Sequence, residues 1–467
     1  MIQYKIPLFE ALQQFHQNEP TSFHVPGHKN GSIFPKQAEN FFASLLQLDL
    51  TELPGLDDLH APSGVIAEAE ELAAEYFRSE HTFFLVGGST AGNLAMILAT
   101  CSAGDKVIVQ RNAHKSVMNG LELSGARPIL IAPEFDASTD RYTGPDSTSL
   151  KKALEQHPDA KAVVLTYPDY FGCTYPLKEM IDLAHRWGIP VLVDEAHGVH
   201  FSLGEPFPLS AVDLGADAVV QSAHKMAPAM TMAAYLHMNS GLVSKQKIAH
   251  YLQMIQSSSP SYPLLASLDL ARAFLAEMTP ERLKEILLSV KKLNETLAES
   301  DHWELIPAND PLKIMLQMNP GISAQQTAWL FEQENIYPEL ATHNQILFIH
   351  GLAPFEQLPD LKKKLERINT QLKNTAGHAT IETAKLFFEP VQELEMSYQE
   401  MNQLTDRLVP LRESAGHIAA EAVIPYPPGI PLILKGERIT QVHIDSIVSL
   451  LETGVRLQQR EEGIRIY

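Results

Sequence analysis

Between residues 82 and 238 the chain alternates short apolar runs with amphipathic ones, and this rhythm limits the possible fold more than any other feature. TFFLV (82–86), KVIVQ (106–110), ARPILI (126–131), KAVVLT (161–166), IPVLVD (189–194) and ADAVVQ (216–221) each read as one buried strand, and MAAYLHM (232–238) as one more. Helical patterns fill the gaps at 148–156 and 176–187, and LAMILATC continues as a helix after a loop of small residues. Such alternation predicts right-handed crossovers and a mostly parallel central sheet with flanking helices, an α/β fold. Sites in such sheets form at the carboxyl ends of the strands. The polar residues that follow these runs are therefore the candidates for chemistry.

The rest of the chain divides around that core. An amphipathic helix and the loop Phe23-His24-Val25-Pro26-Gly27-His28-Lys29-Asn30-Gly31 form an N-terminal arm over 1–50. A large domain is expected over 51–300, entered by the loop LDDLHAP (56–62) and a helix from Val65 to Phe77. SSSPSYP (257–263) breaks the rhythm, and helices follow over 264–278 and from Pro280 to Glu299. A smaller α+β region over 301–467 holds the strands LKIMLQM and QILFIHG, helices near 323–335 and 355–373, and the loop PYPPGIP (425–431).

Composition narrows the function classes. Two cysteines in 467 residues give no disulfide framework, and their spacing fits no metal motif. The start lacks a signal-peptide pattern and no apolar run reaches membrane-span length, so the cytoplasm is expected and no membrane partner. The formal net charge of −20 argues against nucleic acid and suits a cationic substrate, although a solvated acidic surface also explains it.

Five strand ends carry reactive residues. Lys225 follows ADAVVQ in Ser222-Ala223-His224-Lys225. Only about one free lysine in two thousand is neutral at pH 7, so a lysine that binds an aldehyde cofactor as a Schiff base needs a special environment. Partial burial at a strand end supplies one; an ordinary solvated lysine is the alternative. Asp194 ends IPVLVD, where a buried carboxylate needs a partner. A protonated ring nitrogen is one partner; capping the next turn, with Glu195 assisting, is another. GGSTAGN (87–93) precedes a helix, and its small residues, helix N-terminus and the hydroxyls of Ser89 and Thr90 suit a phosphate. It lacks the lysine of a nucleotide loop, and it also reads as a plain turn with an N-cap. His114 lies past KVIVQ and can stack on a flat ring or sit hydrogen-bonded in its loop. Thr166 ends KAVVLT and Tyr170 follows it, possible donors to a ring oxygen, and His197 lies just past Asp194 within reach of ring or substrate.

These residues carry a resemblance. VPGHKNG, LDDLHAPSGVIAEAE, TFFLVGGSTAGN, NAHKSV, VDEAHGVH, SAHK, SSSPSYPLLASLD and PYPPGIP with Gly436-Glu437 resemble the pyridoxal phosphate-dependent Orn/Lys/Arg decarboxylases, particularly the short bacterial arginine-decarboxylase-like members. The resemblance implies a fold-type-I enzyme with Lys225 carrying the cofactor, Asp194 on the ring nitrogen and His114 against the ring. It puts Ser89, Thr90, Ser222 and His224 around the phosphate. It further implies a homodimer or a multiple of dimers, with SSSPSY near the subunit interface. Gly87 stands where relatives often carry Asn, His197 where the large members carry Trp, and Lys435 where Pro is common. The N-terminal wing of the large members is expected to be absent.

The expected reaction is loss of carbon dioxide from a basic amino acid, arginine favoured over lysine or ornithine, giving a polyamine-type amine. Transamination or elimination on the same cofactor, and a non-catalytic cofactor-binding subunit, are the competing readings. Glu421 and Glu437 are candidates for reading the distal charge of the substrate.

Overall fold

The computed structural model describes residues 2–373, 386–387, 389–426, 430–452, 456–458 and 463–467; Pro427, Pro428 and Gly429 of the PYPPGIP loop lie outside them. The chain divides into two compact units. One comprises Met1–Thr100, Ala184–Glu205 and Leu209–Met278; the other comprises Cys101–Leu183, Pro206–Pro208 and Thr279–Tyr467.

In the first unit, Val191–Asp194 pairs in parallel with Ala218–Gln221. Ala218–Gln221 then pairs with Ala234–Met238, which pairs with His81–Leu85, both antiparallel. Three strands thus run one way, and Ala234–Met238 runs against them. Every residue of Val191–Asp194, Ala218–Gln221 and Ala234–Met238 is buried, which explains why they read as unbroken apolar runs. The helix Gly88–Thr100 packs closely on this layer because Gly92 has no side chain. A Cβ there would lie 2.8 Å from Leu85 Cδ1 and 2.9 Å from Val220 Cγ1.

Two loop motifs are structural staples of this unit. The Asp57 carboxylate accepts the backbone N–H groups of Asp58 and Ser63 on one oxygen and of Gly64, Ile66 and Ala67 on the other. Burial works against its charge, yet these donors hold its pKa below the usual carboxylate range. It thereby caps the helix Val65–Phe77, which spans the residues the sequence predicts. Tyr262, buried at the head of the helix Tyr262–Ala276, donates to the Asp57 carbonyl at 2.7 Å, so SSSPSY and LDDLH brace one another. His28 is held by Asp49 at 3.1 Å and accepts the Gly31 N–H, closing the Pro-Gly-His loop.

In the second unit, Ala162–Thr166, Lys106–Gln110 and Arg127–Ile131 run parallel, with Lys106–Gln110 in the middle. Val391–Glu393 adds an antiparallel strand against Arg127–Ile131. A hairpin, Pro133–Asp136 with Arg141–Pro145, follows. The C-terminal part holds an antiparallel sheet in the order Trp303–Ile306, Lys313–Met318, Gln345–Ile349, Leu340–Ala341. Helices Pro280–Leu297, Ala324–Gln333 and Leu358–Lys373 contribute Leu297, Phe331, Leu365 and Ile368 to its core.

Arg111, directly after Lys106–Gln110, is 1% exposed. Its guanidinium meets Glu437 at 2.6 Å, donates to the carbonyls of Pro431 and Leu432, and lies 4.9 Å from the Phe387 ring centroid. Every partner but Arg111 comes from the C-terminal part, so one buried ion pair ties that part to the strand end preceding His114. Among the described residues no helix is long and apolar enough to cross a membrane. Arg111→Ala strands the Glu437 carboxylate, and the expected loss is roughly 3–5 kcal/mol in urea denaturation; a loss below about 1 kcal/mol would show that the pair is not a keystone.

Candidate active site

The site is built from the strand ends of the first unit. Past His81–Leu85 the backbone turns sharply: Gly88 has φ +73° and donates to the Met232 carbonyl at 2.9 Å. The N–H groups of Val86 and Gly87 both donate to Gln256 Oε1. A Cβ on Gly87 would stand 2.9 Å from Ala91 Cβ, so the turn favours glycine. The helix then starts, and Ser89 and Thr90 lie in its first turn, where backbone N–H groups lack helical partners.

Asp194 is 3% exposed. Its Oδ2 accepts Asn93 Nδ2 at 2.8 Å, and its Oδ1 accepts the Ala196 N–H at 3.2 Å. Asn93 is fully buried and escaped the sequence reading of the site. The signal was its position four residues past Ser89, one turn along the same helix face.

Ser222 ends the neighbouring parallel strand and is the N-cap of the short helix Ala223–Met226. Its side chain makes no cap bond, and its hydroxyl is buried without a hydrogen-bond partner. Buried hydroxyls are rarely left so, and the position calls for an acceptor from outside the chain. Lys225, half-buried one turn on, has Nζ 3.1 Å from His197 Nε2. His224 Nδ1 donates to the Ala233 carbonyl at 3.2 Å. Burial and the neighbouring Lys225 charge push the His224 pKa down despite that bond, which keeps the ring neutral. One layer thus brings together a buried carboxylate, a half-buried amine beside an imidazole, and an unsatisfied hydroxyl; in the same unit a helix N-terminus carries Ser89 and Thr90.

The remaining predicted residues belong to the second unit. His114 is the half-buried N-cap of Lys115–Ser124, and its Nδ1 accepts the Ser116 N–H, so the proton sits on Nε2. Thr166 is held through its backbone: its N–H donates to Gln110 Oε1 at 3.0 Å and its carbonyl accepts the Tyr175 hydroxyl at 2.9 Å. Its own hydroxyl is buried with no hydrogen-bond partner. Tyr170 donates to Glu339 at 2.5 Å. Both Glu437 oxygens are taken, by Arg111 and the Leu434 N–H, and Glu421 accepts the Arg465 N–H at 3.1 Å. Lys435 pairs with Glu122 at 2.5 Å. Among the described residues no cluster of His, Cys, Asp or Glu is arranged to hold a metal.

The family model described as Orn/Lys/Arg decarboxylase, major domain, matches residues 6–320, and that for the C-terminal domain matches residues 378–460. The chain is 45% identical over 460 residues to the uncharacterized protein YaaO of Bacillus subtilis, covering 97% of this chain and 95% of the relative. It is 36% identical over 477 residues to arginine decarboxylase of Bacillus subtilis, covering 99% and 97%. The structure of the Francisella novicida lysine decarboxylase LdcF matches with a TM-score of 0.81 at 19% identity, over 98% of this chain and 80% of that one, a likeness of fold.

Asn93→Ala removes a donor from a buried carboxylate oxygen. The expected cost is roughly 1–3 kcal/mol of unfolding free energy, measured by chemical denaturation; a stability equal to the parent would show that Asn93 does not support Asp194.

Proposed function

The chain belongs to the Orn/Lys/Arg decarboxylase family, and from that premise we propose that it is a pyridoxal phosphate-dependent decarboxylase acting on arginine. The observation that carries the cofactor is the unsatisfied, fully buried Ser222 hydroxyl on the strand layer that also carries the half-buried Lys225 and the buried Asp194. When bound, pyridoxal phosphate supplies an aldehyde that condenses with amines and a ring that takes up the electrons released as carbon dioxide leaves.

The residues divide that work. Lys225 would hold the cofactor covalently through Nζ. Asp194, fixed by Asn93, keeps the ring nitrogen protonated. Ser89, Thr90, Ser222 and His224 hold the phosphate, with the helix N-terminus favouring its charge. His197 lies against Lys225 Nζ and is placed to accept or return its proton. His114 would take the ring contact that the family resemblance implies, and Thr166, from its place at a strand end, would donate to a ring oxygen. We place the large domain at about 51–300 and the C-terminal region beyond it.

Arginine is preferred over lysine or ornithine because a relative aligned over nearly the whole chain bears that name, and the formal net charge of −20 suits a cationic substrate. The amine product belongs to polyamine synthesis, and the cytoplasm is the proposed location. A homodimer, or a multiple of it, is the proposed assembly. In the N-terminal arm Phe23 is 93% and Phe41 87% exposed, and a partner subunit is the proposed cover for them.

The purified protein should show a visible absorption band that borohydride removes, and Lys225→Ala should lack it; a reducible band in that variant would move the assignment to another lysine. Carboxyl-labelled arginine should release carbon dioxide faster than lysine or ornithine. A keto-acid product without carbon dioxide would replace this reading with a transaminase. Asp194→Ala should fold as the parent does and lose roughly 100-fold or more in turnover; near-parental turnover would remove its role at the ring nitrogen.

A further inference from the structure

A second carboxylate, fully buried, lies directly beside Asp194 in the chain. Glu195 Oε1 accepts the Ala211 N–H at 2.7 Å, and its Oε2 accepts Gln221 Nε2 at 2.7 Å. Gln221 Oε1 lies 3.0 Å from His237 Nε2, His237 Nδ1 lies 2.8 Å from Thr82 Oγ1, and Thr82 Oγ1 lies 2.9 Å from Ser79 Oγ. The chain of contacts crosses the whole strand layer of the first unit, and Glu195, Gln221 and His237 are fully buried.

Its protons are ordered. With Gln221 Nε2 donating to Glu195, Gln221 Oε1 must accept, so His237 carries its hydrogen on Nε2. Its Nδ1 then accepts the Thr82 hydroxyl, and Thr82 accepts from Ser79. Every donor points towards Glu195, the arrangement an ionised carboxylate requires. Burial pushes the Glu195 pKa up to about 8 against the hold of these donors, and Asp213, ion-paired with Arg78, pushes the same way. Burial also drives His237 down to about 3, so its ring is neutral.

Two facts connect this chain to the site. The paired ladder of the parallel strands ends at Asp194 and Val220, and the Glu195 N–H extends it by one bond to the Val220 carbonyl. The Glu195–Gln221 side-chain bond therefore clamps the point where strands would otherwise fray, beside the backbone that carries Asp194 and Ser222. The turn bearing His197 is folded onto the same side chain: a Cβ on Gly198 would lie 2.5 Å from Glu195 Cγ.

We propose that Glu195 is a positioning residue, the acceptor end of a proton-ordered chain that fixes Asp194, His197 and Ser222 relative to one another. The proposal rests on the cofactor reading given above. Charge-assisted bonds are about twice as strong as neutral ones, and small displacements of site groups are costly. At pH 9, above its raised pKa, the carboxylate is ionised, and a neutral end there should therefore loosen the clamp.

The test combines a tautomer with an affinity. By nitrogen-15 NMR at pH 9, His237 of the parent should be protonated on Nε2. Glu195→Gln presents a donor to Gln221, which must turn over, so the His237 proton should move to Nδ1. The affinity for pyridoxal phosphate, read at the same pH from saturation of the visible band, should fall about 10-fold. The double exchange E195Q/Q221E restores an acceptor facing His237 and should recover both the tautomer and the affinity; a side chain that only supports folding would lower stability without this rescue. A shifted tautomer with unchanged affinity would overturn the proposal. If Glu195→Gln does not fold, Thr82→Val keeps the volume and removes the far hydroxyl; an affinity equal to the parent's there would be equally fatal. A parent without a borohydride-sensitive band would sink the cofactor reading and this proposal together, whereas unchanged affinity in the variants sinks the proposal alone.

Discussion

Asp194 puts a carboxylate at the end of a strand that water does not reach, and much of the first unit is arranged to make that tolerable. A buried carboxylate without partners costs several kcal/mol. Asn93 and the Ala196 N–H supply two donors. Asn93 reaches it only because its helix lies close on the strands, and the helix lies close because Gly92 meets Leu85 and Val220 without a side chain. The sharp turn at Gly87–Gly88 sets where the helix begins. Three glycines, one asparagine and one aspartate thus form a single geometric solution.

The parts of this solution that depend on neighbours in sequence were legible in advance. Short apolar runs marked the strands, because residues buried on both faces leave no alternation to confuse. The helix Val65–Phe77 and the strand Lys106–Gln110 fall on the residues read from periodicity. Asp194, Ser222 and Lys225 stood out because polar groups directly after apolar runs are conspicuous. The parts that depend on distant partners were not legible. Nothing local marks Ala234–Met238 as antiparallel, or joins Val391–Glu393 to Arg127–Ile131 across some 260 residues. The hairpin at 133–145 has a mixed pattern, with Glu134 exposed and Tyr142 half-buried. Asn93 and Gln221 looked like ordinary polar residues because their partners lie on other elements.

The histidines show the same division. Nineteen occur in the chain, and sequence ranks them only by place, as with His114, His197 and His224 past strand ends. His28 and His60 are loop staples, one held by Asp49 and the other by the Ser257 carbonyl. His237 is a fully buried link whose ring stays neutral. His197 lies 3.1 Å from the Lys225 amine. What distinguishes them is the chemical identity of the partner, a property of the fold.

The Gly-Glu pair near the C-terminus makes the final case for reading partners before roles. An acidic residue beside a proline-rich loop invites a part in recognising a cationic substrate. Glu437 is instead 3% exposed, with one oxygen on the Arg111 guanidinium and the other shared by Arg111 and the Leu434 N–H. Arg111 in turn donates to the Pro431 and Leu432 carbonyls. Freeing Glu437 for a substrate would leave a buried guanidinium half-satisfied, which costs more than a single ligand contact returns. The motif is therefore a clamp that fixes the start of the loop before His114, and a residue reading the substrate's far end must come from a group whose charge is not already spent inside the fold.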